Sequence, residues 1–509
     1  MIPLIKPYLN SGKNMRHHRF KPKWILWLLL CCMSLFGSAC SAQQVEPGKP
    51  KVNPAAKHII LFVGDGMQLE NEIAASRYGY GEDEQLSFHH FPYRNHVTTW
   101  DVTAYNEVAR RAGQPPYSPS AIAPSLGYDP NVGGIHPRFT LDTEITRNYF
   151  LTPRFATDSA SAATAIGTGH KTEKGRIAWG PGDSRDGRLT TVAELLRDKK
   201  GAAVGVVSTV PFNDATPAAF VSHSTDRKDF VAIARDILYQ SRPEVVIGGG
   251  HPQWSTKTMP RELYSSIAAG GLPEYVFVER VSGVDGSTRL EQGAQSAASQ
   301  GKKLFGLFGG TDGSFASSVP GDQPGNPLVT RPSKEDPLLR EAALAALKVL
   351  SRDPDGFFLL VEQGDIDWAN HNNDFKGMIG CVLDLHSAVE AVVAYIDEPG
   401  DDVTWENTLL IVTADHATGH MRLNDRKRLM PGDLPRQVGG SYPDGEVTYG
   451  TTGHTNELVD VYARGAGIDA FTRYEGYWYP KTRLIDNTHL FHVMTDAAGL
   501  PQPSPLQLK

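Results

Sequence analysis

Four groups of residues in this 509-residue chain have the types and spacing for chemistry. One is Thr157-Asp158-Ser159-Ala160, where a polar triplet opens a run of Ala, Ser and Thr with almost no bulk. Asp158 reads as a helix cap and Ser159 as first-turn, so the Ser159 hydroxyl and the free backbone N–H groups would face any docking anion. The other three are acids and histidines that follow apolar runs: Gly64-Asp65-Gly66-Met67, then Glu362 with Asp367 and His371, then Asp415-His416. Asp and His suit zinc, whereas Asp, Glu and hydroxyl oxygens suit magnesium. Asp367 and His371 are one helical turn apart and can face a single ion. Taken singly each is a weak signal, since a lone Asp after a strand is more often a turn or a cap. Their joint occurrence points to a metal centre built around one alcohol.

The elements that must position these groups are legible as punctuated apolar runs. Residues 58–63, 203–207, 244–250, 304–308, 356–361 and 408–413 read as strands buried on both faces. Helical spacing falls near residues 68–70, after Ser159, and over 189–200, 338–350 and 378–395. Strands alternating with helices predict an α/β fold with a mainly parallel sheet sandwiched between helices, whose carboxyl edges gather the acids side by side. Residues 459–463 read as an antiparallel edge strand. Two surface insertions are expected, near 101–153, without clear periodicity, and near 422–448. Gly248-Gly249-Gly250 is read as a tight turn, because no Lys-Ser or Lys-Thr follows it.

Composition sets the address and the class of partner. Residues 1–42 combine six early cations, an apolar run from Trp24 to Phe36 and a small-residue exit, the pattern of an export signal. Ser38-Ala39-Cys40 also resembles a lipoprotein box with Gly37 where Leu is usual, so lipidation at Cys40 and cleavage after Ala42 both stand open, with periplasmic or lipid-anchored destinations. Losing the six cations takes the formal charge from −7 to −13, which argues against a nucleic-acid partner and requires a local cation to draw in an anionic substrate. Residues 43–56 read as a linker, 57–500 as the catalytic domain and 501–509 as a tail. Cys381 is then the one cysteine of the body and reads as a buried small hydrophobe.

The ordered set Gly64-Asp65-Gly66-Met67, Thr157-Asp158-Ser159-Ala160, Asp214-Ala215-Thr216-Pro217-Ala218, Val361-Glu362 with Asp367 and His371, Thr413-Ala414-Asp415-His416 and Gly453-His454-Thr455 resembles the alkaline phosphatase family over about residues 58 to 498. The resemblance implies two zinc ions, one magnesium and a phosphoserine intermediate at Ser159. It implies zinc ligands Asp65, Asp415 and His416, a second zinc on Asp367, His371 and His454, and magnesium on Asp65, Thr216 and Glu362. Arg227 matches the substrate-binding arginine and Asp214 an acid beside magnesium. It further implies phosphate monoesters as substrates, an alkaline optimum and a homodimer. Trp368 and Thr418 depart from the enterobacterial form, and Trp368 could offer a face to an aromatic or sugar leaving group. His223, His251 and His420 are read as structural or loop residues. The rival readings are a phosphodiesterase or sulfatase of the same superfamily and a non-catalytic phosphate- or metal-binding protein.

Overall fold

Ten strands make one sheet: β1 (His58–Gly64), β2 (Tyr93–Thr98), β3 (Ala203–Pro211), β4 (Val245–Gly249), β5 (Tyr275–Glu279), β6 (Lys303–Leu307), β7 (Phe357–Gln363), β8 (Thr408–Thr413), β9 (Val459–Gly465) and β10 (Ile485–Asp486). The computed structural model describes residues 55–501 except 139–143, 153, 183–184, 255–258, 311, 316–317, 322–328 and 399. The export signal, Cys40, most of the linker and nearly all of the tail lie outside the described residues.

The strand order is β10-β2-β9-β8-β1-β7-β3-β4-β6-β5, and β9 alone runs against its neighbours. The central strands β1, β3, β7 and β8 are buried at every position, as Ile, Leu, Val and Phe covered by helices on both faces require. The register decides where the acids fall. Val63 of β1 pairs with Glu362 of β7 on one side and with Thr413 of β8 on the other. Asp65, Glu362 and Asp415 therefore leave three adjacent strands at nearly the same height.

Six helices bear on the site and its surroundings: α1 (Leu69–Tyr80), α2 (Val102–Arg111), α3 (Ser159–Thr168), α4 (Ala215–Val221), α5 (Asp365–His371) and α6 (Phe375–Asp397). Every residue of α3 is buried, and its lack of bulk has a purpose. A Cβ at Gly167 would sit 3.2 Å from the Ala219 carbonyl oxygen of α4. The two helices touch backbone to backbone, so a larger residue there would push Ser159 away from the sheet edge. Cys381 is buried within α6.

Three expectations change. Residues 459–463 lie in an antiparallel strand, but it is interior, because β2 and β10 extend the sheet beyond it. The alternating polar sequence Tyr-Arg-Asn-His of β2 hid that strand. Residues 101–153 hold α2 and further short helices, and their aromatic side chains form a second core with Trp100, Tyr105, Tyr128, Trp478 and Tyr479. Single aromatics spaced among Pro and Gly leave no helical period to read. Within 422–448, Met421–Leu423 pairs with Val447–Tyr449 as a small hairpin arm.

Candidate metal centre

Ser159 is placed by its cap. Asp158 adopts an extended backbone conformation, and its carboxylate accepts the Ser161 N–H at 3.1 Å and the Ser161 hydroxyl at 2.7 Å. The Ser159 hydroxyl, nearly buried at the helix start, lies 3.2 Å from Nε2 of His416.

Around His416 the β1 and β8 acids close in. Its Nε2 is 3.4 Å from Oδ1 of Asp65 and 3.3 Å from Oδ2 of Asp415. Both of those carboxylate oxygens are buried and have no hydrogen-bond partner, although the other Asp415 oxygen accepts the Gly66 and His416 N–H groups. An unpaired buried carboxylate oxygen costs free energy unless a cation takes its lone pair. Burial, and then the neighbouring charges of Asp415, Asp367 and Glu362, pushes the Asp65 carboxyl well above its usual range. Burial also raises Asp415 and holds His416 neutral.

A second triad sits beside the first. Nε2 of His371 is 3.1 Å from Oδ2 of Asp367 and 3.1 Å from Nε2 of His454, and Nε2 of His454 is 3.5 Å from Oδ1 of Asp367. Nδ1 of His371 lies 2.5 Å from the Thr452 carbonyl and Nδ1 of His454 lies 2.9 Å from the Thr157 carbonyl. Each Nδ1 must carry the proton to make those bonds. Without a metal ion His371 meets Asp367 as an imidazolium, because that hydrogen bond raises its pKa to about 9; once that proton is lost, two Nε2 lone pairs and one carboxylate would be open to a cation. Burial pushes Asp367 up, but His454, His371 and His416 more than reverse that and hold it below the usual carboxylate range. The Thr418 hydroxyl donates to Oδ1 of Asp367 at 2.6 Å, which fixes the carboxylate orientation.

The oxygen-rich corner lies on the β3 and β7 side. Glu362 is buried and accepts the Ser208 hydroxyl at 2.5 Å. Burial, with Asp214 and Asp415 nearby, raises its carboxyl above the usual range. Thr216 lies beside Glu362, near enough for its hydroxyl to lower that carboxyl, and its buried oxygen makes no well-aligned hydrogen bond among the described residues. Asp65, Thr216 and Glu362 form the hard-oxygen set that magnesium prefers. Among the described residues, the first and third predicted ligand sets thus have buried ligand oxygens without a hydrogen bond, the second gathers two imidazoles on one carboxylate, and the residues fit divalent cations.

Arg227 stands opposite the acids. Its guanidinium donates to Oδ2 of Asp158 at 3.1 Å and to Oδ1 of Asp214 at 3.2 Å. Burial lowers its pKa, but Asp214 and Asp158 more than offset that and keep it charged. Asp158 therefore does two things, capping the helix that begins at Ser159 and holding the arginine. Only the first is legible in the sequence, because the second depends on a contact across distant positions. Ser208, which braces Glu362, carried no sequence signal at all.

Trp368 is half-buried on α5, one position past Asp367. Three histidines lie outside the cluster. His223 contacts the Leu189 carbonyl and Glu194, His251 contacts Glu279, and His420 contacts Glu457. His420 has a left-handed backbone, φ 47°, in the turn that follows the Ala417–Thr418 strand.

A family model described as alkaline phosphatase matches residues 138–426. The chain is 30% identical to the alkaline phosphatase of Escherichia coli over 387 residues, covering 68% of this chain and 75% of that protein. It is 32% identical to alkaline phosphatase 3 of Bacillus subtilis over 268 residues, 52% of this chain, and that match spans about half (49%) of the relative's length. Among solved structures, the alkaline phosphatase of Thermus thermophilus superposes with a TM-score of 0.59 at 21% identity, over 88% of this chain and 92% of that one.

Proposed function

Because this chain belongs to the alkaline phosphatase family, we propose that it is an exported, metal-dependent phosphomonoesterase that works through a phosphoserine at Ser159. The observation that supports this most directly is one alcohol at a helix start, 3.2 Å from His416, with the Asp65–Asp415–His416 and Asp367–His371–His454 groups and the Arg227 fork nearby. Asp65, Asp415 and His416 would hold one zinc, Asp367, His371 and His454 the other, and Asp65, Thr216 and Glu362 the magnesium. When bound, these ions supply Lewis acidity that lowers the pKa of the serine hydroxyl and offsets charge on the departing oxygen.

The chain's own groups do the rest. Arg227 can grip two non-bridging phosphate oxygens as a bidentate fork, held in place by Asp158 and Asp214. The Ser159 oxygen attacks phosphorus in line while the ester bond to the alcohol breaks, and the alcohol leaves with a proton. The N–H groups at the start of α3 favour the added negative charge. Water then displaces Ser159 from phosphorus, releasing inorganic phosphate and restoring the hydroxyl. A serine that must ionise works best above neutral pH, which accounts for an alkaline optimum.

The test compares p-nitrophenyl phosphate, bis-p-nitrophenyl phosphate and p-nitrocatechol sulfate before and after chelation. Hydrolysis of the monoester alone, lost on chelation and restored by zinc and magnesium, is expected. Equal rates on mono- and diester would overturn the reading. Export is tested separately by fractionating cells that express the whole chain.

A further inference from the structure

Beside the Arg227 clamp lies an open cleft of about 650 Å³, walled on one side by Thr103, Asn106, Glu107 and Arg110 of α2 and on the other by Arg154, Glu173 and Lys174. The Lys174–Gly175 backbone links it to the phosphate site. The Lys174 N–H donates to the Thr103 hydroxyl at 3.0 Å. The next residue, Gly175, gives its N–H to Asp158 and its carbonyl to the Arg227 N–H at 2.7 Å. Arg154 stands in the segment that leads into Ser159.

The charge in this cleft opposes that of the rest of the chain. Glu107 is contacted by Arg110 at 3.0 Å, Arg111 at 2.8 Å and Arg154 at 3.5 Å. With Glu173 as the other acid of the lining, itself paired with Arg176 at 2.7 Å, the described side chains of the cleft still carry more cations than anions, on a chain whose formal charge is −7. Arg110 and Arg154 are 68% and 66% exposed, so neither is consumed by packing. Arg111 lies over the Phe155 ring at 5.0 Å, which ties α2 to the approach to Ser159. A helix end stabilised for its own sake would need no third guanidinium from a separate segment.

We propose that this cleft receives the leaving group of the phosphomonoester and selects for a sugar-sized alcohol that carries a second anionic group. The proposal rests on the phosphomonoesterase reading of Ser159 and its metal ligands. Contacts to a non-reacting part of the substrate raise kcat/KM, and a local positive field draws in an anion that the chain as a whole repels.

The experiment measures kcat/KM for 6-phosphogluconate and for sorbitol 6-phosphate, two open-chain esters alike in size that differ in one carboxylate. It uses the full metal-loaded enzyme and the variants Arg110→Ser, Arg154→Ser and Arg154→Glu, with circular dichroism to establish folding. Each Ser variant should lower kcat/KM for 6-phosphogluconate about two- to fivefold, as exposed ion pairs do, and leave sorbitol 6-phosphate unchanged. Arg154→Glu should lower it further, and raising the salt to about 0.5 M should shrink the wild-type preference. Equal effects on both esters, or none, would overturn the cleft assignment while leaving the phosphatase reading intact. If p-nitrophenyl phosphate is not hydrolysed either, the phosphatase reading fails and this inference fails with it.

Discussion

Two regions of the molecule bury charge in opposite ways. Around Lys171 every charge is answered by protein. Its ammonium, 1% exposed, donates to the Trp100 carbonyl at 2.7 Å and the Asn487 side chain at 2.7 Å, and pairs with Asp486 at 2.9 Å. It also lies 4.2 Å from the centre of the Trp100 ring, and Asp486 accepts a further bond from Thr98. At the strand edge the reverse holds, because ligand oxygens of Asp65, Asp415 and Thr216 are buried with no well-aligned hydrogen bond among the described residues. The first region is complete as it stands and ties the aromatic core to the end of β2. The second is complete only with cations. Burial of charge alone does not separate scaffold from receptor. The pairing does.

Substitutions should therefore act with opposite signs in the two regions. The largest effect is expected from Asp415→Asn. Activity on p-nitrophenyl phosphate should fall by about 10³ or more, as when one member of a cooperating set is lost. The metal-free protein should nevertheless be more stable than metal-free wild type, by roughly 1–3 kcal/mol, because a buried unpaired carboxylate is gone. Calorimetry with and without chelator checks both halves, and a lower metal-free melting point would break the comparison.

Next comes Lys171→Met, which strands Asp486 without its partner. It should destabilise the protein by about 3–5 kcal/mol with or without chelator, while the metal content of the folded fraction stays at the wild-type value. Loss of bound zinc from still-folded protein would mean that the two regions are not separate.

The smallest effect concerns His58, a buried ring 4.5 Å from Phe357 whose two nitrogens lack hydrogen bonds. Burial lowers its pKa to about 4 in the fold, from 6.5 in the unfolded chain. The unfolded state then binds more protons, so stability is complete above pH 6.5 and is lost as pH falls toward 4. The loss is on the order of 2–3 kcal/mol in total. His386, lowered to about 4 by burial, contributes with the same sign. His58→Phe should flatten about half of this slope in denaturant titrations between pH 4 and 7, and an unchanged slope would sink the assignment.

Much of the site is readable from residues because two signals coincide there. Continuous apolar runs mark β1, β7 and β8, and each ends in an acid, so both the strands and what they carry are visible. The cap at Asp158 is local and equally visible. What escaped depends on contacts that no local pattern encodes. Strand β2 alternates polar and apolar residues with His and Arg at its centre, and its place between β9 and β10 follows from pairing alone. The brace from Ser208 to Glu362 needs two strands in register. The aromatic core under residues 101–153 gathers rings from two ends of the chain, including Trp478 and Tyr479. The second contact of Asp158, to Arg227, likewise appears only once two loops meet.

The ordering of the sheet has a consequence for how the protein comes into being. Asp65 enters at the first strand, while His454 arrives just before the ninth. A nascent chain therefore cannot assemble either His–carboxylate triad until most of it has emerged, and contacts this far apart in sequence form late. Metal uptake becomes a final inspection of the folded product. A chain trimmed before residue 454, or paused partway through synthesis, would hold its divalent ions loosely however well its early strands had formed.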